Sequence, residues 1–335
     1  MTSSASLVSP SGAARAGIAS RALPWALLVL LAAFPLVAPS LGLDYYIDFV
    51  GKLLIVMIAA TSLNFILGYG GMVALGHAGF MGVGAYTVAA MVAAGETSAW
   101  IIWPAALAVS AVFAAIIGAV SLRTRGVYFI MITLAFAEML HYLAVSLRTY
   151  GGDDGYSIPT PPSLGAWIDA SPNSAYWAVL AIAALVFALV SRLAVSRFGY
   201  ALMGVRDNET RMAALGFPVF AIRLAAFTGS GALAGLAGAL MACHNSFVSP
   251  SLMNWTESAI LIIMVVIGGT GSRWGGIIGA GLWLSLEEVL KSYTDYWHWP
   301  MGVLLIVIVF FAPKGIAALI EHAGGRQSGK QGGRQ

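Results

Sequence analysis

Two polar residues in one apolar run have a spacing at which their side chains could act together chemically. Glu138 and His141 lie three residues apart in the run 126–147, so a helix would present both on one face. Glu-x-x-His is half of the motif that holds two metal ions in carboxylate-bridged helical bundles. A complete site needs a second copy, and none of the remaining histidines follows a glutamate at that spacing: His77, His244, His298 and His322. The sequence therefore predicts no metal site and no cofactor.

Glu138 is still a candidate functional residue, because an ionisable group is costly to place inside an apolar segment. Two explanations fit it equally well. It pairs with a polar group of a neighbouring helix, or it takes part in transport.

A second candidate site is the glycine-rich segment from Leu67 to Tyr86, which also contains His77. Glycines inside a membrane segment either let helices pack closely or break a helix where it lines a cavity. Because a polar imidazole lies within the run, we favour a break beside a translocation path. The candidate path and gate residues are Asn64, Gly70, Gly71, Gly76, His77, Gly79 and Glu138.

The composition places these residues in a membrane protein. Of 335 residues, 59% are hydrophobic and only 9% are charged, with a mean hydropathy of +0.86, which is more apolar surface than a water-soluble globule can hide. The single cysteine, Cys243, excludes an intramolecular disulfide. The net charge of +3 reflects orientation in the membrane, so we expect no nucleic-acid partner.

The apolar runs predict an all-α protein with about ten transmembrane helices. A helix needs about 20 apolar residues to cross the bilayer. The runs are 22–43, 53–67, 72–94, 100–120, 126–147, 175–191, 221–243, 258–272, 275–290 and 299–312. If both termini are cytoplasmic, alternation puts 14 Lys and Arg residues inside and 3 outside (Lys52, Arg148 and Lys291), as the positive-inside rule requires.

This topology divides the chain into three parts. Residues 1–21 form a cytoplasmic segment, 22–316 the membrane domain and 317–335 a cytoplasmic tail. The first run is too long for the core of a cleaved signal peptide, so we interpret it as a retained helix.

Two loops are long. The outer loop, at about 148–174, contains Gly151, Gly152, Asp153, Asp154 and Gly155 followed by prolines, which predicts an ordered turn. The inner loop, at about 191–220, reads from Arg197 to Gly216 as one short amphipathic helix with a glycine stop. A helix in a cytoplasmic loop suggests a docking element.

Motifs for enzymatic chemistry are missing from the sequence. It contains no Gly-x-x-x-x-Gly-Lys-Ser/Thr phosphate loop, no Gly-x-Ser-x-Gly elbow and no His-Glu-x-x-His helix. The chain is therefore not expected to be an enzyme, and any ATP-driven work requires a partner.

Four stretches, which share motifs and their order, resemble the branched-chain amino acid ABC permease family, in particular its LivM-type subunits. They are 63–86; 122–138 with 151–155; 198–240; and 264–280 with 313–316. The resemblance implies a type II importer permease in the bacterial inner membrane. It also implies partners: a LivH-type permease, two ATP-binding cassette ATPases and a periplasmic solute-binding protein.

The resemblance assigns roles to the loops as well. The inner loop is similar to the coupling loop that docks on the ATPase, through Arg206, Glu209, Ala213, Ala214, Leu215 and Gly216. The turn at 151–155 is the candidate contact for the binding protein.

The resemblance implies that the cargo is a branched-chain amino acid or a related solute such as urea, an amide or an aromatic acid. An ion-coupled secondary transporter and a membrane metalloenzyme on Glu138 and His141 are the alternative functions.

Overall fold

The computed structural model describes residues 31–35, 44–160, 162–165, 173–311 and 315–316. The predicted cytoplasmic segments 1–21 and 317–335 lie outside the described residues. So does most of the first predicted run, of which 31–35 is helical.

Most of the described chain is α-helical. The helices are α1 (Asp44–Asn64), α2 (His77–Ala93), α3 (Ala99–Ser121), α4 (Val127–Ser146), α5 (Ser174–Ala194), α6 (Arg197–Asp207), α7 (Glu209–Ala214), α8 (Val219–Asn245), α9 (Trp255–Gly268), α10 (Gly275–Tyr293) and α11 (His298–Phe311).

Five helices are long and apolar enough to cross a membrane within the part of the chain that the structure describes: α1 with the turn that follows it, α3, α4, α5 and α8. Helices α2, α9 and α11 are apolar but shorter. The all-α membrane fold is thereby confirmed, whereas the number of ten spans and the side of the termini stay predictions.

The core is built around α2, which has 13 of its 17 residues buried. It packs mainly against α8 and α3. Close approach to α8 depends on glycine, since a Cβ on Gly84 would overlap the carbonyl oxygen of Gly235. In contrast, α3, α4 and α5 are only 28–33% buried within their apolar windows, as expected of helices that face lipid.

Two predicted helix boundaries are wrong in an informative way. Helix α1 begins at Asp44 rather than at 53, because the charged Asp48 and Lys52 continue the helix as its outer turns. Helix α2 begins at His77 rather than at 72, because the chain between Gly70 and Gly76 leaves helical geometry. We call residues 70–76 the helix break.

The prediction of a single helix from Arg197 to Gly216 is also wrong. The chain forms α6 and α7, separated at Asn208, which is extended with φ −157° and ψ 96°. The Asn208 side chain caps α7 by accepting from the backbone N–H of Arg211 at 2.8 Å, so a residue inside the predicted helix starts a new one. The glycine stop does lie where it was expected, with Gly216 at φ +84°.

Contacts between loops define two ends of the bundle. At one end, Arg206 and Glu209 of the inner loop contact the starts of α4 and α8 and the end of α1. At the other, β1 (Tyr156–Ser157) pairs antiparallel with β2 (Phe247–Val248). Residues that alternation assigns to one side of the membrane are thus brought together at one end.

Candidate functional site

The helix break follows a widened turn at the end of α1. Residues Phe65–Tyr69 form a π-helical turn, a geometry that disturbs the regular hydrogen-bond ladder and often occurs at functional sites. The carbonyl oxygen of Gly68 accepts a hydrogen bond of 2.6 Å from Arg206 Nη1 of α6. Gly71, at φ +66°, lies against the same side chain, and a Cβ there would be 2.7 Å from Arg206 Cγ. The inner loop and the helix break are therefore in direct contact.

Asn64 fixes the same end of α1 to another loop. Its Oδ1 accepts from the backbone N–H of Gly271 at 3.0 Å, and its Nδ2 donates to the carbonyl oxygen of Ser272 at 2.8 Å. Both ends of the amide are used, so the buried side chain is well satisfied. Asn64 thus joins the end of α1 to the connection between α9 and α10.

The first turn of α2 and the residue before its N-cap obtain hydrogen-bond partners from other helices. Leu75 N–H donates to Thr133 Oγ1 of α4 at 3.2 Å, and Ala78 N–H donates to Ser258 Oγ of α9 at 2.9 Å. The first N–H groups of a helix have no partner within it, and an apolar environment supplies none. These two hydroxyls therefore allow a helix to begin inside the bundle.

His77 is the first residue of α2, and its imidazole is completely buried. Ser62 Oγ donates to the carbonyl oxygen of Ala59 at 2.7 Å, so it accepts the 2.8 Å hydrogen bond from His77 Nε2. The ring is then the neutral tautomer with its proton on Nε2. Its Nδ1 has no partner among the described residues. His77 therefore connects the start of α2 to α1.

The glycines next to the break allow close contact between backbones. A Cβ on Gly76 would lie 2.5 Å from the carbonyl oxygen of Thr133, and one on Gly70 would lie 2.7 Å from that of Ile66. A Cβ on Gly79 would lie 3.2 Å from Leu140 Cδ1 and 3.5 Å from Ala137 Cα, both of α4. The segment therefore combines both expected uses of glycine, a helix break and close helix packing.

Glu138 is placed apart from this network. One carboxylate oxygen, Oε1, is buried and has no hydrogen-bond partner within the described chain. His141, one turn further along α4, donates from Nδ1 to the carbonyl oxygen of Pro250 at 3.0 Å. Nδ1 of His141, the histidine of the Glu-x-x-His pair, thus already forms a hydrogen bond with the segment that precedes α9.

Glu209 is the centre of an ion-pair cluster at the inner end. Its Oε1 is 3.0 Å from Arg125 Nη2, and its Oε2 is 3.3 Å from Arg223 Nη1. Arg125 precedes α4, and Arg223 lies in the first turns of α8. One carboxylate therefore ties the start of α7 to two membrane helices.

The residues that follow Glu209 present a surface to the outside of the chain. Met212 packs back against Gly204 of α6, where a Cβ would be 2.9 Å from the Met212 sulfur atom. Ala213, Ala214, Leu215 and Gly216 are exposed, and Leu215 retains 67% of its accessible surface.

At the opposite end, the turn at 151–155 is ordered. Gly151, Gly152 and Gly155 all have positive φ, at 84°, 57° and 81°. Gly155 packs against β2, since a Cβ there would be 2.6 Å from the carbonyl oxygen of Val248. Asp153 and Asp154 are left exposed at the surface.

Several residues of these clusters were not identified from the sequence. The sequence identified Arg125 and Arg223 only as basic residues on the inner side of the membrane. Their positions at the starts of α4 and α8 could have indicated a contact with the inner loop. Nothing in the sequence identified the hydroxyl groups of Ser62, Thr133 and Ser258 as partners, because isolated serine and threonine residues are common in apolar runs.

Comparison with known proteins gives a consistent result. The family model described as the branched-chain amino acid transport system permease component matches residues 45–312. The chain is 30% identical to the high-affinity branched-chain amino acid transport system permease protein LivM of Salmonella typhimurium (strain LT2), over 92% of this chain and 78% of the relative. It is also 30% identical to the protein of that name from Escherichia coli (strain K12), over 87% of this chain and 73% of the relative.

A more distant relative is the autoinducer 2 import system permease protein LsrC of Klebsiella pneumoniae. It is 30% identical over 47% of this chain and 46% of its own length. No solved structure gives a match.

Proposed function

This chain belongs to the branched-chain amino acid transport system permease family, and from that premise we propose that it is the LivM-type membrane subunit of an ATP-driven importer for branched-chain amino acids. The proposed complex contains a LivH-type permease, two ATP-binding cassette ATPases and a periplasmic binding protein in the bacterial inner membrane. The permease is a conduit and no enzyme, so the ATPases supply the energy.

The observation that carries this proposal is the contact between Arg206 and Gly68. A permease must convert movement of its ATPase partner into movement of its own helices, which requires a direct link between the two. The 2.6 Å hydrogen bond from Arg206 to the Gly68 carbonyl joins the inner loop to the helix break. Movement of the loop would therefore act on α1 and α2.

The exposed residues Ala213, Ala214, Leu215 and Gly216 are the proposed contact with the ATPase. Glu209 supports this role, because its ion pairs with Arg125 and Arg223 hold α7 against two membrane helices. On ATP binding, the ATPase pair would close and pull α7. The helix break, with Asn64, Gly70, Gly71, Gly76, His77 and Gly79, is then the proposed moving part, and Glu138 stays a candidate for the path.

The turn at 151–155 is the proposed contact with the binding protein. Its two exposed carboxylates, on Asp153 and Asp154, lie at the end of the bundle opposite the inner loop. Specificity for the solute would reside mainly in that binding protein, so urea, amides and aromatic acids stay alternatives as cargo.

Reconstitution of the complete complex in proteoliposomes tests the proposal. Uptake of labelled leucine should require ATP, both ATPases and the binding protein, and should stop when the ATPases are inactivated. Uptake by this chain alone, driven by an ion gradient, would overturn the proposal in favour of a secondary transporter.

A further inference from the structure

A charged cavity of about 180 Å³ lies at the end of the bundle opposite the inner loop, between α1 and α10. Six of its lining residues are acidic or basic: Asp48, Lys52, His244, Glu287, Glu288 and Lys291. All six lie within α1, α8 and α10, and Asp48, Lys52 and Lys291 are exposed to the surroundings of the chain. None of them belongs to the inner loop, the helix break or the turn at 151–155.

The short length of α9 explains why there is space at this end. With 14 residues, α9 is about 21 Å long and cannot reach both ends of the bundle. Ser258, in its first turn, contacts Ala78 at the start of α2, so α9 begins well below the outer end. Glu257 beside it interacts electrostatically with Lys52 and Glu287 of the cavity.

The charges of the cavity are only partly matched to one another. Lys291 Nζ is 2.5 Å from Glu287 Oε1, and Tyr45 donates to Glu288 Oε1 at 2.5 Å. Lys52 differs, because no carboxylate oxygen of the described residues lies within 4.0 Å of its ammonium group. The cavity therefore has an ammonium group available on α1 and carboxylates on α10.

A molecule that carries both charges at a short separation fits this arrangement. A carboxylate would bind Lys52, and an ammonium group would bind the carboxylates of Glu287 and Glu288, both as charge-assisted hydrogen bonds. Phe49 and Leu284 supply apolar wall for a side chain. The volume is below the roughly 300–1,000 Å³ of pockets for drug-sized ligands, which favours a molecule of amino-acid size.

We infer that this cavity is a binding site for a zwitterionic amino acid on the outward side of the permease. The inference rests on the proposed function, which supplies such a cargo at this side. Amino acid released by the binding protein would be held here by both of its charges before it moves deeper. Neither charge would have to be neutralised.

Protection from chemical labelling tests the site directly. In the complete complex with Cys243→Ser, Phe49→Cys would be labelled from outside by a methanethiosulfonate reagent. Leucine should slow the labelling several-fold. Leucinamide, which lacks the carboxylate, and 4-methylpentanoate, which lacks the ammonium group, should protect much less. Added Lys52→Met should abolish protection by leucine, and Lys52→Arg should retain it.

A cysteine at Asp295 is the matched control, since this exposed residue lies at the same end but does not line the cavity. Its labelling should not respond to leucine. Equal labelling of Phe49→Cys with and without leucine, or equal protection in the Lys52→Met variant, would overturn the inference. Leucine uptake is measured in the same vesicles. Uptake without protection of Phe49→Cys from labelling would refute the binding site alone. Protection without uptake would refute the proposed function alone.

Discussion

At the scale of single residues, the contact between Arg206 and Gly68 has the clearest consequence for transport. An arginine can place a charged donor on a carbonyl group while its carbon chain packs on Gly71, as it does here. A hydrogen bond with a charged partner contributes about 1.5–3 kcal/mol. Loss of this hydrogen bond should therefore weaken the link between the inner loop and the helix break without unfolding the protein.

Replacement of Arg206 by Met tests this link. The carbon chain is largely kept, but the Gly68 carbonyl loses its donor, so we expect ATP-driven uptake to fall by about tenfold or more, as 1.4 kcal/mol corresponds to a factor of ten. ATP hydrolysis by the assembled complex should persist. The matched control is Arg211→Met, an exposed arginine of α7, and uptake at the normal rate in Arg206→Met would contradict the prediction.

Glu209 provides a second prediction at this scale. Glu209→Lys would place a third positive charge beside Arg125 and Arg223, so repulsion replaces two ion pairs and α7 should separate from α4 and α8. We expect the complex to assemble in the membrane but to hydrolyse ATP without uptake. Thr210→Lys, which adds a lysine at the neighbouring exposed position but keeps Glu209, should transport normally. An equal loss in both variants would show that added positive charge in the loop, rather than loss of the ion pairs, is responsible.

The sequence predicted part of this cluster. Glu209 and Arg206 were found because the loop resembles a coupling loop. Of their partners, only Arg223 is near in the chain, at 14 residues, whereas Arg125 and Gly68 are 84 and 138 residues away. No local pattern connects a loop arginine to the carbonyl of one glycine among many. His77 was found as a polar residue, whereas its role in joining α2 to α1 depends on Ser62, a hydroxyl that hydropathy does not distinguish.

At the scale of elements, α8 is the helix whose small residues matter most. Gly231 and Gly235 allow α3 to approach, and a Cβ on Gly235 would overlap Ser110 Oγ. The four-residue spacing of Gly231, Gly235 and Ala239 is typical of such a packing face. The structure adds that the face holds both α2 and α3.

Gly235→Leu should therefore destabilise the bundle. Overpacking of a close contact costs about 1–3 kcal/mol or more, so we expect a lower melting temperature of the purified protein and poor assembly. Gly229→Leu is the matched control, because the same helix has open space at Gly229. Similar melting temperatures for the two variants would refute the role given to Gly235.

The end of α7 supports a further prediction. Gly216 is at φ +84°, and a Cβ added there would have no atom within 4 Å, so a larger residue meets no neighbour but must adopt a left-handed conformation. That conformation costs a branched or bulky residue about 1–2 kcal/mol. Gly216→Leu should shift Leu215 and reduce coupling of ATP hydrolysis to uptake, whereas Gly216→Asn, which tolerates this conformation, should keep most of it. Full coupling in Gly216→Leu would contradict this.

Element types were predicted better than element ends. The apolar runs gave the helices, because hydropathy over 15 to 20 residues is a strong signal. The break at 70–76 and the division at Asn208 depend on single side chains that replace backbone partners. Such substitutions leave the average hydropathy of a segment unchanged, so hydropathy placed the start of α2 at 72 instead of His77 and the sequence joined α6 and α7 into one helix.

At the scale of the whole molecule, the two ends of the bundle present different surfaces. The inner end exposes Leu215 beside arginines, and the outer end exposes Asp153 and Asp154 on a rigid turn. Two of the arginines that the charge bias assigns to the inner side, Arg125 and Arg223, form ion pairs with Glu209. The charge bias did not predict the charged outer cavity, which depends on how far α9 extends.

Reversal of the outer charges tests the contact with the binding protein. Asp153→Lys combined with Asp154→Lys keeps the three glycines that shape the turn, and should weaken binding of the solute-binding protein by about tenfold, mainly through slower association. The effect should diminish at high salt. Asp295→Lys is the control at the same end, and unchanged association of the double variant would exclude a contact at this turn.

The helix break also has a consequence for how the protein is made. Gly68, Ala78 and Asn64, on either side of the break, are stabilised by Arg206, Ser258 and Gly271, which follow them by 138, 180 and 207 residues. A ribosome that has just released α2 into the membrane has not yet synthesised any of these three partners. The N–H group of Ala78, in the first turn of α2, therefore has no Ser258 partner until α9 has been inserted. A chain truncated before Ser258 should be recognised by membrane quality control, even though α1 to α8 are complete.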